Sequence, residues 1–127
     1  SAAARARSAG ISRDRILIDP GLGFGKTVAH NVALLRALNR FVSLGYPVVL
    51  GPSRKSFIGA SAGGEVHERL GGTLAAVAAA RRAGVRMVRV HDVQATVQFL
   101  KMLEAIEKAS SSFQNPTLRN PNLYPCD

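Results

Sequence analysis

Residues 16–27 read ILIDPGLGFGKT, a short apolar run followed directly by a loop with three glycines, a lysine and a threonine. This composition suggests a nucleotide-binding P-loop, in which a glycine and four arbitrary residues precede Gly-Lys-Ser/Thr. Counting back from Gly25 places Pro20 where the first glycine of that motif must be, so a P-loop is excluded. The segment instead predicts a strand that ends in a loop suited to another ligand.

Three further glycines divide the chain in a regular way. Gly10, Gly45 and Gly84 each follow a helical stretch and precede a short aliphatic or β-branched run, as a left-handed glycine after a helix does. We therefore predict three strands, at residues 15–18, 47–50 and 85–90. The first two are continuously apolar, which is typical of strands covered on both faces of a sheet.

Helices are predicted between and after these strands. One apolar stripe with helical spacing comprises Val28, Val32, Leu35, Leu38 and Val42. Residues 69–83 are alanine-rich and predict a thin helix packed closely on a sheet. A last stripe comprises Val93, Val97, Leu100, Leu103 and Ile106. Glu104 and Lys108 are spaced for an i,i+4 ion pair on that helix. The alternation predicts an α/β fold with a parallel sheet, either doubly wound or a (β/α)8 barrel.

The unusual residues collect at the carboxyl ends of the predicted strands. The three strands run into DPGLGFGK (19–26), GPSRKSFIG (51–59) and RVHDV (89–93). Helix N-termini and free backbone N–H groups point towards that edge of a parallel α/β fold. We therefore expect a ligand site there.

The first strand end offers a carboxylate, flexible backbone and an aromatic ring. Asp19 precedes a proline, which disfavours a helical conformation for it. Its carboxylate can accept hydrogen bonds from ligand N–H groups, or it can cap its own turn through backbone donors. Gly21, Gly23 and Gly25 allow the backbone to approach a ligand closely. Phe24 is either an anchor of the loop in the core or a lid over a flat ligand.

The second strand end combines cations with hydroxyl groups. Ser53, Arg54 and Lys55 lie at the opening of a helix or turn, where N–H donors and a guanidinium bind oxyanions well. Lys55 can instead donate to ring carbonyl or imine acceptors. The alternative for all three is a solvated surface patch, but their position directly after a buried strand favours a ligand role.

The third strand end places an arginine beside a histidine. Arg89 and His91 alternate with valines, so both project to one face of the last strand and form a candidate anion site. His30 and His67 have no such neighbours, and we interpret both as solvent-facing or structural.

Length and composition indicate one small globular domain. The 127 residues are 46% hydrophobic, which allows a single core. The net charge of +9, from 17 Lys and Arg against 8 Asp and Glu, favours anionic ligands such as phosphates. The arginines are scattered and rarely interleaved with aromatics, so we expect no nucleic-acid partner. The alternative to an anion-binding role for this positive charge is a solvated basic surface. The longest apolar run, residues 74–80, is too short to span a membrane.

The two ends of the sequence carry separate expectations. The first ten residues, SAAARARSAG, have the Arg, Ser and Ala content of a cleaved targeting sequence, but Gly10 favours the end of a helix. Residues 109–127 are rich in Ser, Asn and Pro and are predicted to be disordered. They contain the one cysteine, Cys126, so an intrachain disulfide is excluded and a reducing compartment fits. We expect a cytoplasmic protein.

Four segments together resemble dihydropteroate synthase, the folate-pathway enzyme that joins a dihydropterin diphosphate to p-aminobenzoate. DPGLGFGK, GPSRKSFIG, ERLGGTLAA and RVHDV occur in that family's order and spacing, and the match covers about residues 3–108. The resemblance implies a (β/α)8 barrel, of which residues 1–108 are the C-terminal part with three parallel strands and their helices. It also implies a sulfonamide target and a homodimer in the full-length protein.

The resemblance implies roles for the residues at the strand ends. Asp19 corresponds to the carboxylate that hydrogen-bonds the pterin ring, and Lys55 to the lysine at the ring acceptors near the reaction centre. Phe24, with Gly23 beside it, lies in the loop that helps enclose p-aminobenzoate. Ser53 and Arg54 correspond to residues that receive the carboxylate of that substrate. Arg89 and His91 correspond to the pair that holds the diphosphate.

A complete barrel needs at least about 200 residues, so we expect the sequence to be a C-terminal fragment without the first five strands. The resemblance implies Mg²⁺, with its protein ligand in the missing N-terminal half, and an isolated chain that lacks half of the site. One alternative is a non-catalytic module that binds an anion or a pterin. Another is a related methyltetrahydrofolate-dependent methyltransferase barrel, against which the SRKS and RVHD segments argue because they suit a diphosphate leaving group.

Overall fold

The computed structural model describes residues 2–109. The predicted tail therefore lies outside the described residues, except for Ala109, which ends the last helix. The regular elements in chain order are helix α1 (Ala2–Ser8), α2 (Val28–Arg36), α3 (Leu38–Val42), strand β1 (Val49–Leu50), α4 (Ser56–Ala62), α5 (Leu70–Ala83), β2 (Met87–Val88) and α6 (Val93–Ala109). Two 3₁₀ turns are also present, Arg13–Arg15 between α1 and α2 and Val66–Glu68 between α4 and α5.

The two strands pair in parallel, with Val49 opposite Met87 and Leu50 opposite Val88. On the other side of β1, Ile18 forms a single parallel bridge with Val48. One edge of β1 bonds to the first segment, because the N–H of Val49 donates to the Ile18 carbonyl at 3.0 Å. The other edge bonds to the segment around β2, where the carbonyls of residues 48 and 50 accept hydrogen bonds. The three extended segments therefore lie in sequence order.

The prediction of three strands is only partly met, because two strands and one bridge replace them. The first segment begins with the 3₁₀ turn, and Arg13 of that turn donates to the carbonyls of Leu44 and Gly45. The third begins late, because the Val85 N–H still donates to the Ala80 carbonyl at the end of α5. Within the described residues the first and third segments each pair with β1 alone, and a parallel segment with one neighbour forms few ladder bonds.

The helices lie where they were predicted, but the buried face differs on two of them. The first helical stretch is divided at Ala37 into α2 and α3. Val28 and Val32 were predicted on the buried face, but 39% and 49% of their surface is exposed. The buried positions of this stretch are Asn31 and Leu38, so the inward face is rotated by about one residue at its start.

On α6 the predicted stripe is not the buried face. Val93, Val97 and Ile106 are exposed over 59%, 45% and 54% of their surface, and the buried residue is Thr96.

The core lies between the sheet and the helices on one side of it. One cluster of buried core residues comprises Leu22, Leu38, Leu50, Phe57, Ile58 and Ala80. As predicted, α5 packs closely through small side chains, with Thr73, Ala76, Val77 and Ala80 buried. The predicted ion pair on α6 is present, with Lys108 Nζ 2.6 Å from Glu104 Oε1. Among residues 2–109, none of the helices combines the length and the apolar character needed to cross a bilayer.

Candidate functional site

One cleft brings together residues from all three strand ends. It has a volume of about 350 Å³ and is lined by Phe24, Gly51, Ser53, Lys55, Arg89, Val90 and His91. The parallel pairing explains this convergence, because the three carboxyl ends meet at the same edge of the sheet. Five of the residues singled out in the sequence thus share one cavity.

Lys55 is the most constrained cation in this cleft. Its ammonium group donates to the Leu22 carbonyl and lies 4.3 Å from the centre of the Phe24 ring, a cation–π contact. A Cβ atom at Gly23 would lie 2.5 Å from Lys55 Cδ, and Gly23 has φ of +82°, so glycine is needed there on both counts. Burial, and after it the charge of Arg89, lowers the pKa of Lys55.

Phe24 is exposed over 66% of its surface, so it is not an anchor in the core. The ring instead covers the side of the cleft next to the Lys55 ammonium. This position fits the second predicted role, that of a lid over a flat ligand, which stays a prediction.

Arg89 lies across the backbone of Gly51. A Cβ atom at Gly51 would approach Arg89 Nη2 to 2.7 Å, and the Arg89 N–H donates to the Leu50 carbonyl at 2.8 Å. The absence of a side chain at Gly51 therefore lets the guanidinium lie at the floor of the cleft. Arg89 and Lys55 give this cleft two positive charges, which attract anions.

Ser53 and His91 are joined across the end of the sheet. The Ser53 hydroxyl accepts from the His91 backbone N–H at 3.1 Å and lies 2.8 Å from His91 Nδ1. Ser53 is buried, with 8% of its surface exposed, whereas His91 opens onto the cleft. The other two histidines, His30 and His67, are exposed, as expected.

Arg54 lies between two cleft residues but is directed away from the cleft. Its guanidinium donates to both carboxylate oxygens of Asp92, from Nε at 3.2 Å and from Nη2 at 2.7 Å. Its backbone has φ of +56°, a left-handed conformation that residues other than glycine rarely adopt. The Arg54 N–H donates to Thr73 Oγ1 at 3.1 Å, and Arg69 Nη1 donates to the Arg54 carbonyl at 3.1 Å. Its predicted role at a substrate carboxylate stays a prediction.

The Arg54–Asp92 ion pair makes stability depend on pH. The hydrogen bond from Arg54 lowers the pKa of Asp92 below its ordinary 3.8. The stabilisation is therefore complete above pH 3.8 and is lost as the pH falls through the lower pKa of the folded state. We expect Asp92→Asn to be less stable than the parent near neutral pH and to lose less stability on acidification. Urea unfolding midpoints from pH 6 to pH 2 measure this, and parallel declines in the two proteins would contradict it.

Asp19 lies at the edge of the loop and is exposed. Its Oδ1 accepts from the Gly21 N–H at 2.8 Å, which is the turn-capping alternative considered for this residue. It does not line the cleft that contains Lys55. One carboxylate oxygen can cap a turn while the other binds a ligand, so the role of Asp19 at a pterin ring stays a prediction.

Lys26 and Thr27 support the same loop. Lys26 Nζ donates to the carbonyls of Gly21 at 2.7 Å and Phe24 at 3.1 Å, so this lysine closes the glycine-rich loop. The Thr27 hydroxyl accepts from the His30 N–H at 3.2 Å and caps the N-terminus of α2.

Sequence reasoning missed Asn31, which holds the loop from below. Only 2% of its surface is exposed, and its Oδ1 accepts from the Gly23 N–H at 2.7 Å. Its Nδ2 donates to the carbonyls of Thr27 at 2.9 Å and Lys26 at 3.3 Å. Its spacing was the available signal, because Asn31 lies three positions after Val28 and four positions before Leu35, which both belong to the predicted apolar stripe. Because Gly23 packs on Lys55, Asn31 also supports the cleft.

Replacing Asn31 by Ala should destabilise the protein. The change leaves the Gly23 N–H without its partner in a partly buried place, and such a loss costs about 1–3 kcal/mol. The free energy of unfolding in urea measures it. Asn39→Ala is the control, since Asn39 is exposed on α3. Equal effects of the two substitutions would show that the Asn31 hydrogen bonds contribute nothing particular.

The expected Mg²⁺ finds no protein site in the described part of the chain. Residues 2–109 contain no group of three His, Cys, Asp or Glu side chains placed to hold a metal ion. Asp92, the carboxylate adjacent to His91, is already paired with Arg54. The residues present therefore do not fit a metal centre by themselves, and the expectation of Mg²⁺ stays a prediction.

Comparison with known proteins identifies what the chain is similar to. Residues 1–91 match the family described as pterin binding enzyme. The chain is 46% identical to dihydropteroate synthase of Haemophilus influenzae over 102 residues, which are 80% of this chain and 37% of that protein. A solved structure of Xanthomonas albilineans dihydropteroate synthase with 4-aminobenzoic acid superposes with a TM-score of 0.80 at 46% identity, over 83% of this chain and 39% of that one.

A further relative carries a different description. The chain is 48% identical over 107 residues to "Inactive dihydropteroate synthase 2" of Mycobacterium leprae, covering 84% of this chain and 37% of that protein. The chain thus spans little more than a third of the length of the relatives it matches. Overall identity does not separate the relative described as inactive from the others.

Proposed function

The chain belongs to the pterin binding enzyme family, and we propose that it supplies the diphosphate-binding part of a dihydropteroate synthase site. The observation that carries the proposal is the cleft in which Lys55, Arg89 and His91 converge. Two cations and a histidine at the end of a parallel sheet suit a diphosphate leaving group. The similarity to dihydropteroate synthases supplies the reaction.

In the proposed reaction, the arylamine nitrogen of p-aminobenzoate bonds to the methylene carbon of the dihydropterin diphosphate. The carbon–oxygen bond to the diphosphate breaks, the diphosphate leaves with the electron pair, and the amine nitrogen loses a proton. Negative charge therefore grows on the departing oxygen. Arg89 and His91 donate to the departing diphosphate, and Lys55 donates to the pterin ring acceptors beside it, so that donors fixed before the reaction stabilise the transition state.

The remaining assignments extend this proposal to both substrates. Asp19 binds the pterin ring, and Phe24 closes over the arylamine next to Gly23. The family resemblance implies that Ser53 and Arg54 receive the carboxylate of the arylamine, although in the structure both side chains are engaged, with His91 and Asp92 respectively. The proposal also includes a homodimeric enzyme whose Mg²⁺ is held through residues outside this chain. These assignments come from the resemblance of the strand ends to the family.

A second candidate is a non-catalytic module that keeps the anion site. The relative described as inactive, with 48% identity, favours it. Such a module would retain the cleft and bind diphosphate or a pterin without forming dihydropteroate.

A chimera separates the two candidates. The chain would replace the matching segment of the H. influenzae enzyme, which it covers to 37% at 46% identity. Formation of dihydropteroate and release of diphosphate, followed by chromatography, is expected if this chain carries a competent half-site. A folded chimera that binds diphosphate in calorimetry without turnover would support the non-catalytic module instead. A folded chimera that does neither would overturn the proposed site.

A further inference from the structure

We propose that Ser53 is a positioning residue that fixes the ring tautomer of His91, so that the neutral imidazole presents its Nε2–H to an oxyanion in the cleft. The identity of that anion as a diphosphate rests on the proposed function. The tautomer itself depends only on contacts within this chain.

The hydroxyl oxygen of Ser53 makes two contacts with His91. Ser53 Oγ accepts a hydrogen bond from the His91 backbone N–H at 3.1 Å. The same oxygen lies 2.8 Å from Nδ1 of the His91 ring. The backbone contact therefore holds the hydroxyl in front of the ring nitrogen of the same residue.

Burial decides which group donates in the second contact. Only 8% of the Ser53 surface is exposed, and a buried hydroxyl proton needs an acceptor. Within residues 2–109, the ring nitrogen is the one acceptor in contact with this hydroxyl. The hydroxyl therefore donates to Nδ1, which must be unprotonated, and the proton of the neutral ring is on Nε2.

The consequence is a donor aimed at the cleft. His91 lines the same cavity as Arg89 and Lys55, which are both cationic. A neutral imidazole adds a hydrogen-bond donor there without adding a third positive charge, so the three groups can lie together before an anion binds. The arrangement gives an oxyanion two charged partners and one neutral partner with a fixed direction.

This role differs from the one implied by family resemblance, in which Ser53 receives the carboxylate of the arylamine. In the structure the hydroxyl is directed to His91, which in the proposed function binds the diphosphate and not the arylamine. Loss of the hydroxyl should therefore weaken binding of a diphosphate, whereas a carboxylate role predicts weaker binding of p-aminobenzoate alone.

The test is nitrogen NMR of the full chain labelled with ¹⁵N-histidine, at a pH where the rings are neutral. In the parent protein, His91 is expected to show an unprotonated Nδ1 and a protonated Nε2. Ser53→Ala should give a mixture of tautomers, and Ser53→Thr, which keeps a hydroxyl, should restore the parental pattern. Ser56→Ala is the matched control, because Ser56 is an exposed serine of the same segment. The exposed His30 and His67 serve as internal references.

Calorimetry with inorganic diphosphate gives the second readout. Affinity should fall about twofold in Ser53→Ala, because only the Nε2–H fraction of a tautomer mixture can donate to the anion, and it should recover in Ser53→Thr. A protonated Nδ1 in the parent protein would overturn the proposal, and this result needs no variant to fold. So would an unchanged tautomer in a folded Ser53→Ala protein. A fixed tautomer in a parent protein that binds no diphosphate would instead count against the proposed function and leave the role of Ser53 intact.

Discussion

Replacing Arg89 by Ala should lower the rate of dihydropteroate formation about 10²–10³-fold, the usual loss when one donor to a developing anion is removed. In the proposed function this guanidinium faces the departing diphosphate from the floor of the cleft. The loss should fall mainly on kcat, because the negative charge grows as the bond breaks. The rate of diphosphate release in the chimeric enzyme measures it.

Two companion variants separate the charge of Arg89 from its placement. Arg89→Lys keeps the charge but loses the planar pair of donors, so we expect partial recovery. Gly51→Ala keeps the arginine and displaces its guanidinium, since the new Cβ would lie 2.7 Å from Nη2. Its activity should fall with little loss of stability, because the guanidinium end of a flexible side chain can move away. Full activity in Arg89→Ala would remove Arg89 from the proposed mechanism.

Leu38→Ala should cost about 2–5 kcal/mol of unfolding free energy, the range for truncating a buried leucine. Leu38 has no exposed surface and belongs to the core cluster with Leu50 and Phe57. Its loss opens a cavity below the sheet whose end carries the cleft. Urea unfolding of the full chain measures the effect.

Val32→Ala is the matched control for Leu38, because both residues belong to the apolar stripe predicted from the sequence. In the structure 49% of the Val32 surface is exposed, so its truncation should change stability by about 0.5 kcal/mol or less. Similar losses from the two substitutions would mean that the predicted stripe, with Val32 inside, is the right one.

This pair of residues illustrates how far sequence reasoning carries for the fold. Glycine stops and apolar runs located the helices and the parallel arrangement, since both depend on local backbone and side-chain preferences. Strand lengths depend on neighbouring strands, and within residues 2–109 Ile18 forms a single bridge, to Val48. The register of α2 depended on a buried amide, Asn31, which hydrophobic periodicity does not detect.

For the candidate site, sequence reasoning identified most residues but not their directions. The convergence of Lys55, Arg89 and His91 followed from parallel topology, because strand ends meet at one edge. The pairing of Arg54 with Asp92 could not be predicted, because it requires a left-handed residue that is not glycine. Asn31 and Gly51 act through a close approach of backbone and side chain, which appears only in three dimensions.

The left-handed backbone at Arg54 limits how the segment from Ser53 to Lys55 can evolve. Ser53 and Lys55 line the cleft, and the residue between them is bonded to Asp92 and to α5. Deleting or inserting one residue here would exchange the inward and outward positions, leaving a misplaced charge in the cleft and an unpaired carboxylate at Asp92. A substitution at one position of this segment therefore removes the contacts of one side chain, whereas a change in its length would disrupt all three at once.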